Sequence, residues 1–486
     1  MNKLLCVLLI LCSIGTECRS QDILTINDII VRAKSQSPWF KQAETQRELS
    51  YWNYRFFKAN YVPQIQVTDN GTSLYRNSFT PITQPDGSIQ YLQVNQFNPG
   101  VNIALQQPIQ WTGGMLSINT VYNYFNDLEE NTKQWNGSIF NVRFIQPVFA
   151  YNRYKWNKLI EPIRYEESKR DYAEMMEQIS HDAVDIFFDV VQAQVNQQIA
   201  EFNLLNNDTI YKIEQGRYNI GNTSLDKLLQ VELGLLRAKQ DLAQAKLSFQ
   251  TSSLELRTYI GVQTVENFQL VLPEEIPAFN VSEEDALRYA RETRAAFVEF
   301  QRRKAEADAN VAQAKGNRYT VNLSGGFGLN NVGSTVGDLY QDPARQQYIN
   351  LGFAIPIIDW GRRKAMMQSA YAQKRLNDYL IAQDEMVFEQ NILTQVRQFE
   401  TLRLQIEISK RSDQVALERY NVAQNRYLIG KIDITNLNIA LGEKDAAKRS
   451  YIDALKAFWT AYFDLRRLTL YDFAEQKYLY NPFVEE

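Results

Sequence analysis

The fold is decided by a short turn that occurs twice, Arg217-Tyr218-Asn219-Ile220-Gly221 and, 209 positions later, Arg426-Tyr427-Leu428-Ile429-Gly430. Each copy lies between long stretches of helix-forming sequence. Glycine at the end of a helix can adopt a positive φ, which lets the chain reverse into an antiparallel helix. Ser224 and Asp433 follow the two glycines at the same distance and are of the types that cap a helix N-terminus. Two helical hairpins of one design are therefore predicted.

The same duplication extends to the rest of the chain. Two capping-box patterns, Thr25-Ile26-Asn27-Asp28 and Ser282-Glu283-Glu284-Asp285, lie 257 positions apart. Further along, Gln146-Pro147-Val148-Phe149 corresponds to Ile355-Pro356-Ile357-Ile358 at the separation of 209 found for the turns. Asn60 and Asn317 still have the separation of 257, so the fall to 209 means that the first copy carries 48 additional residues somewhere between Asn60 and Pro147.

The start of the chain has the pattern of a secretory signal peptide. An apolar run at residues 4–14 follows Lys3 and precedes a small-residue cleavage pattern. All three cysteines, Cys6, Cys12 and Cys18, fall inside this leader, so the mature protein is expected to have no thiol. Lipidation of Cys12 or Cys18 is not expected, because the residues before them lack the small side chains that it requires.

These features predict a division of the chain into five segments. Pro273 and Pro277 mark a linker between the copies, and the last segment is expected to be short and loosely packed. The predicted segments are a signal peptide (1–20), a first repeat (21–271), a linker (272–281), a second repeat (282–470) and a C-terminal tail (471–486).

Composition excludes several classes of protein. The formal net charge is −4 and charges of both signs are interleaved, so the sequence has no nucleic-acid-binding footprint. After the leader, no stretch has the eighteen or so apolar residues of a membrane helix, and any membrane crossing is therefore expected to be made by strands.

Each copy is predicted to follow one order of elements. A helix comes first, broken in copy one at Pro38. Alternating apolar and polar residues then predict a strand pair, as at Ile65 and Val67 in copy one or Leu351 and Phe353 in copy two. A helix of about 70 residues, on the order of 100 Å long, leads to the turn, and a shorter helix returns.

The additional residues of copy one are predicted to form an inserted hairpin within about 77–125. Two alternating runs, at 101–105 and 116–124, are joined by the turn Trp111-Thr112-Gly113-Gly114. An extracellular elaboration is favoured over a chain with six strands, because the turn-rich stretch at 81–87 would lie on the same side. Whether this hairpin joins the other strands is left open by the sequence.

The turns, together with the strand-to-helix boundaries at 146–149 and 356–363, resemble those of the TolC-type outer-membrane factor family. The resemblance covers essentially the whole mature chain. It implies an α+β, internally duplicated fold in which a long antiparallel coiled-coil helical tunnel continues strands contributed to a shared trimeric outer-membrane β-barrel. Four strands cannot close a channel alone, and open sheet edges cannot lie in lipid, which agrees with a homotrimer.

The resemblance further implies a passive exit duct of a tripartite efflux or type I secretion system. It would lie in the bacterial outer membrane, with helices extending into the periplasm. The implied partners are a periplasmic adaptor (membrane fusion protein), an inner-membrane pump of RND or ABC type, and outer-membrane lipid. In the resembled family the turns face the adaptor, which makes the following residues candidates for adaptor contact: Arg217, Tyr218, Gly221, Ser224, Arg426, Tyr427, Gly430 and Asp433. A purely structural role in ending and capping helices explains the two glycines, Ser224 and Asp433. It explains Arg217 and Arg426 less well, and arginine is a frequent anchor of interfaces.

A pore constriction is implied at the same end. The family often has acidic residues six and nine positions past the turn glycine, where this chain has Asn436 and Ile439, which argues against a carboxylate ring there. Asn436, its counterpart Lys227 in copy one, and Asp226 are the candidates for lining the constriction.

No catalytic, cofactor or metal site is predicted. The chain has no Gly-x-Ser-x-Gly elbow and no P-loop, and its one histidine, His181, is expected to be a packing or helix-surface residue. Two alternatives to a channel remain: a periplasmic adaptor, which normally has one hairpin flanked by small β-domains, and a non-conducting periplasmic coiled-coil spacer.

Overall fold

The computed structural model describes residues 22–262, 268–273 and 275–481. The predicted signal peptide, with Cys6, Cys12 and Cys18, lies outside the described residues. The chain divides into two compact units. The helical unit comprises the chain up to Arg47, Arg170–Arg294 and the chain from Val387 onward, and the sheet unit comprises Glu48–Lys169 and Ala295–Met386.

The predicted helices are present, and the two long helices each have 67 residues. Among the described residues, no helix has both the length and the apolar character of a membrane span. In chain order the helices are α1 (Ile26–Gln36), α2 (Pro38–Ala59), α3 (Arg153–Asn219), α4 (Leu225–Ile260), α5 (Glu283–Thr293), α6 (Ala295–Gly316), α7 (Arg362–Leu428) and α8 (Ile434–Thr469).

Both copies begin with a capped and interrupted helix. The side chains of Thr25 and Ser282 accept hydrogen bonds from the backbone N–H groups of Asp28 and Asp285, as predicted. The break before Pro38 is also as predicted. A second break at Arg294 was not predicted, since the sequence there has no proline, and the arginine backbone is extended instead of helical.

The strands are more numerous than the sequence suggested. Among the described residues, six lie in the first repeat and two in the second, besides short pairs that close the ends of the repeats. They are β1 (Asp22–Leu24), β2 (Gln64–Asp69), β3 (Ser73–Thr83), β4 (Ile89–Asn98), β5 (Gly100–Ile109), β6 (Gly114–Asp127), β7 (Lys133–Val148), β8 (Phe268–Leu270), β9 (Thr320–Gly333), β10 (Ala344–Ala354), β11 (Tyr471–Asp472) and β12 (Lys477–Tyr478).

The inserted strands pair inside the main sheet. β2 and β3 follow each other along one edge of the sheet. β2 pairs with β5 and β3 pairs with β4, and both β5 and β4 pair with β6 on their other side. From β6 the order continues through β7 and β9 to β10. All these pairings are antiparallel. The sheet therefore has six strand positions, and the expectation of four with an extracellular hairpin is wrong. An alternating pattern indicates a strand but not its neighbours, which is why the sequence could not decide this.

One face of the sheet is apolar across five strands. Register partners in successive strands follow one another as Ile65, Leu105, Ile118, Val142 and Phe327. Ile65 and Phe327 are 75% and 40% exposed, so this face is uncovered in the single chain.

The other face is polar and is held together by side-chain amides. Asn102 donates a 3.2 Å hydrogen bond to Thr68 and accepts one of 3.2 Å from Asn119. Asn123 joins β6 to β7 in the same way, with a 2.9 Å bond to Asn136. The amides satisfy one another across strands, so this face can be polar without an ion pair.

The helical unit has its main apolar core along α3. Along α3, Val184, Phe188 and Val191 recur at spacings of four and three and are at most 1% exposed. These residues pack in one cluster with α8 residues such as Phe458.

The C-terminal segment is packed, contrary to the expectation of a loose tail. Tyr471, Asp472 and Phe473 are buried, and the ring of Tyr471 stacks on that of Tyr289 at 3.8 Å. Arg466 pairs with Asp472 at 3.0 Å. Polar and aromatic partners in the helical unit therefore fix the segment up to Asn481, the last described residue.

A buried charge network supports this packing. Arg466 also pairs with Glu177 of α3 at 2.9 Å, and Lys34 of α1 pairs with Glu177 at 2.6 Å. Glu177 is 3% exposed and Asp472 is 1% exposed, so the two buried carboxylates share the Arg466 guanidinium, and Lys34 adds a second cation for Glu177. The network links the first helix, the long helix and the C-terminal segment.

Candidate functional site

The two turns have the same backbone. At the end of α3, the N–H of Asn222 bonds the carbonyl of Arg217 at 2.8 Å, and Gly221 adopts a φ of +78°. At the end of α7, Lys431 bonds Arg426 at 2.8 Å, and Gly430 adopts a φ of +74°. Both are Schellman motifs, so each glycine takes the left-handed conformation that the sequence required of it.

Both returning helices are capped as expected. Ser224 accepts a 3.4 Å hydrogen bond from the N–H of Lys227 at the start of α4. Asp433 accepts one of 2.9 Å from the N–H of Asn436 at the start of α8. A complete structural role is thereby assigned to both glycines and both caps.

The arginine and tyrosine of the two motifs are used in opposite ways. In the first turn Tyr218 is 40% exposed, whereas in the second turn its counterpart Tyr427 is 3% exposed. Conversely, Arg217 is half-buried and Arg426 is exposed. The two motifs therefore present different side chains to solvent, Tyr218 in the first turn and Arg426 in the second.

Glu214 explains this difference, and sequence reasoning missed it. Its carboxylate is buried and its Oε1 accepts hydrogen bonds from Arg217 at 2.7 Å and from the Tyr427 hydroxyl at 2.8 Å. The Arg217 guanidinium also lies 5.5 Å from the Tyr427 ring centre and donates to the carbonyl of Leu428 at 3.4 Å. A glutamate three residues before an arginine on a helix was the available signal.

The electrostatics of this cluster follow from burial. Burial alone would raise the pKa of Glu214, but hydrogen bonds from Tyr427, Arg217 and Thr223, with the charge of Arg217, hold that pKa below its usual value. Burial, reinforced by the Glu214 carboxylate, raises the pKa of Tyr427. The carboxylate is therefore charged and the phenol neutral near neutral pH, as the hydrogen bond between them requires.

The tips of the two hairpins enclose a cleft of about 580 Å³. Glu214, Arg217 and Lys227 line it from the first hairpin, and Tyr427 and Asp433 line it from the second. Behind it lies a small apolar cluster that joins the hairpins: Ile210, Val231, Tyr420, Tyr427, Ile434, Leu437 and Leu441. The tips are thus held by one buried polar cluster and one apolar cluster.

The candidates for a constriction all lie at these tips. Asn436 is exposed, and its side-chain amide donates a 2.7 Å hydrogen bond to Asp433. Asp226 and Lys227 are exposed in the first turn of α4. Their role in a pore stays a prediction.

No group of three or more metal-binding side chains occurs within the described ranges 22–262, 268–273 and 275–481. His181 is half-buried on α3, with Nδ1 3.0 Å from Asp182, far along the chain from the turns.

Comparison with protein families gives a match over both repeats. The model of the family described as "Outer membrane efflux protein" matches residues 29–262 and 286–469. These ranges include both turns and both long helices. No curated protein sequence gives a match.

Solved structures share the fold. The CmeC outer membrane channel of Campylobacter jejuni aligns with a TM-score of 0.66 and 16% identity, over 91% of this chain and 85% of that one. The MtrE outer membrane channel of Neisseria gonorrhoeae gives 0.62 and 16%, over 91% and 88%. VceC, an outer membrane protein of Vibrio cholerae, gives 0.61 and 14%, over 94% and 97%. With the duplicated architecture and the match to both repeats, the chain belongs to the outer membrane efflux protein family.

Proposed function

We propose that this protein is the outer-membrane exit duct of a tripartite efflux or type I secretion system. Three copies form a passive channel, and a periplasmic adaptor and an inner-membrane pump supply substrate and energy. The observation that carries the proposal is the family match over both repeats, together with two helical hairpins that end in matched turns. The protein itself does no chemistry in this proposal.

The sheet supports assembly from several copies. The edge strands are β2 with β3 on one side and β10 on the other. The outer side of each edge has no strand partner among the described residues. Because the sheet has an even number of antiparallel positions, the edge of one copy can pair antiparallel with the opposite edge of the next. Uncovered apolar residues on one face suit lipid, and the amide-lined face suits a water-filled interior.

The tips supply a surface for an adaptor. Ile220 and Ile429, which flank the turn glycines, are 71% and 66% exposed. The exposed side chain near Ile429 is Arg426, and the exposed side chain near Ile220 is Tyr218. An apolar and cationic tip of this kind fits a partner that offers apolar and acidic side chains.

Conductance tests the channel. The full-length protein, purified in detergent, is expected to have the native mass of a trimer and to produce discrete conductance steps in planar bilayers. A protein that is monomeric in plain buffer without detergent would favour the adaptor alternative. A detergent-purified trimer without conductance, even after tip substitutions, would favour the spacer.

Cross-linking in cells tests the partner. A photoreactive amino acid at Ile220 or Ile429 is expected to capture one periplasmic protein, which mass spectrometry would identify. Lys410, exposed on the shaft of α7, is the matched control position. Capture of the same protein at Lys410 as at both tips would contradict docking at the turns.

A further inference from the structure

The additional residues of the first repeat insert two strand positions into the middle of the sheet. Asn60 and Asn317, which keep the separation of 257, stand just before β2 and β9, so these two strands correspond. Pro147 and Pro356, at the separation of 209, stand near the ends of β7 and β10, so these two also correspond. Among the described residues, β5 and β6 are therefore the positions without a counterpart in the second repeat.

The inserted pair is fixed to the end of the sheet where the long helix begins. The side chain of Asn152, just before α3, donates a 2.9 Å hydrogen bond to the carbonyl of Gln110 in the turn between β5 and β6. Gln146, near the end of β7, donates one of 3.0 Å to the carbonyl of Thr112 in the same turn. Asn152 also caps α3 by accepting a 3.1 Å bond from the N–H of Lys155. The inserted strands therefore start from the same end of the sheet as β7 and do not form a separate lobe.

Both faces of the sheet continue through the inserted strands. On the apolar face, Leu105 of β5, Ile118 of β6 and Val142 of β7 are register partners. On the polar face, the amide of Asn119 donates a 3.2 Å hydrogen bond to Asn102 across the inserted pair. β5 has 10 residues and β6 has 14, and a strand needs about 9–11 residues to span a bilayer. The length and the two faces of the inserted pair are those of a membrane wall, whereas a lobe in water has no use for the apolar face.

We propose that β5 and β6 form part of the wall of the duct, so that three copies close a barrel of eighteen strands. Each copy contributes six strand positions, whereas a copy without the inserted pair would contribute four and the barrel would have twelve strands. The apolar face of the inserted pair contacts lipid acyl chains, and its amide face lines water. The inference rests on the trimeric channel of the proposed function and specifies the width of its duct.

The number of strands determines that width. With strands about 4.8 Å apart and tilted by about 40°, each strand takes up about 6.3 Å of the circumference. Eighteen strands then give a barrel about 36 Å in diameter, and twelve give one of about 24 Å. When about 5 Å of side chain is subtracted on each side, the open cross-section is about threefold larger for eighteen strands. The inserted pair therefore sets the size of the solutes that can pass through the sheet unit.

Side-chain accessibility tests whether the inserted strands lie in the wall. Asn102 and Ile103 are neighbours on β5 and point to opposite faces. In the trimer reconstituted into lipid vesicles, a water-soluble maleimide is expected to label Asn102→Cys at least tenfold faster than Ile103→Cys. The matched control pair is Asn350→Cys and Leu351→Cys on β10, a strand that has a counterpart in both repeats. The unsubstituted protein gives the background from its own cysteines.

The control pair makes the result decisive. Rapid labelling at both β5 positions, while the two β10 positions still differ, would mean that water surrounds the inserted strands, and it would overturn their place in the wall. A tenfold difference in both pairs supports it.

Strand counting gives an independent measurement. A cryo-electron microscopy map of the detergent-purified trimer is expected to show eighteen strands within the detergent belt. A conducting trimer with twelve strands in the belt, and with β5 and β6 outside the ring, overturns this inference while the channel stands. A protein that stays monomeric in detergent overturns both proposals.

Discussion

The hydroxyl of Tyr427 donates a 2.8 Å hydrogen bond to Oε1 of Glu214, and this bond fastens the turn of the second repeat to the long helix of the first. The bond is buried and shares its acceptor with Arg217. Since the two turns are far apart in sequence, it is a tertiary tie between hairpins, not part of either turn.

Removal of this hydroxyl should loosen the tips. We expect Tyr427→Phe to lower the free energy of unfolding of the helical unit by about 1–2 kcal/mol, because Glu214 loses a buried donor. In planar bilayers the open fraction of the channel should rise, since the hairpins separate more readily. The control is Tyr218→Phe, the counterpart with an exposed ring. Equal effects from both variants would contradict a stabilising role for the Tyr427–Glu214 hydrogen bond.

The stabilisation that comes from the Tyr427–Glu214 hydrogen bond should depend on pH. The pKa of Glu214 in the folded chain lies below its usual value of 4.5, so the folded state binds this proton less tightly than the unfolded state. The stabilisation is therefore fully present above pH 4.5 and is lost as pH falls through the lower, folded-state pKa. Thermal unfolding of the wild type and of Glu214→Gln, measured from pH 7 to pH 3, should show a difference that narrows on acidification. A difference that widens would contradict the assignment.

The sequence allowed the turns to be predicted but not the use of their side chains. Gly221 and Gly430 had to end helices, and Ser224 and Asp433 had to cap them, because local backbone geometry determines those roles. The orientation of Arg217 depends instead on a tertiary partner. The position equivalent to Glu214 in the second repeat is Ala423, so Arg426 has no carboxylate three residues before it.

The pairing of the inserted strands and the packing of the C-terminal segment could not be predicted, for a related reason. The residues around Val101 and Ile118 alternate in the manner of strands, but alternation is identical for a hairpin inside a sheet and for one outside it. Similarly, the short segment from Tyr471 has no periodicity, and it is held by tertiary contacts, the ion pair of Asp472 with Arg466 and the stacking of Tyr471 on Tyr289. Long-range pairing determined both outcomes.

The buried network at the C-terminus should be costly to break. Arg466→Met leaves Glu177 and Asp472 without their shared guanidinium, and we expect a loss of about 3–5 kcal/mol in the free energy of unfolding. Limited proteolysis should then cut near residues 471–478. The adjacent Arg467→Met is the control, because its partner Asp464 lies one turn away on the same helix at a half-exposed position. A resistant Arg466→Met protein would argue against this anchor.

The constriction hypothesis concerns Asn436. If its side chain lines the narrowest part of the pore, Asn436→Ala should raise single-channel conductance, and Asn436→Asp should increase cation selectivity by adding a charge beside Asp433. Asn438 is also exposed but lies about 200° around α8, so Asn438→Ala should leave conductance unchanged. Conductance that does not respond to either change at Asn436 would remove that residue from the pore.

The turn glycines allow backbone strain to be separated from packing. Gly221 and Gly430 have φ values of +78° and +74°, and an added Cβ would meet no atom within 4 Å at either. Gly221→Ala and Gly430→Ala should therefore each destabilise the helical unit by about 1–2 kcal/mol through conformation alone. Gly442 also has open space around it but lies inside α8 with no positive φ, so Gly442→Ala should stabilise by about 0.5–1 kcal/mol. Opposite signs of these changes in thermal unfolding would confirm that conformation, not space, requires glycine at the turns. The same sign at all three positions would refute it.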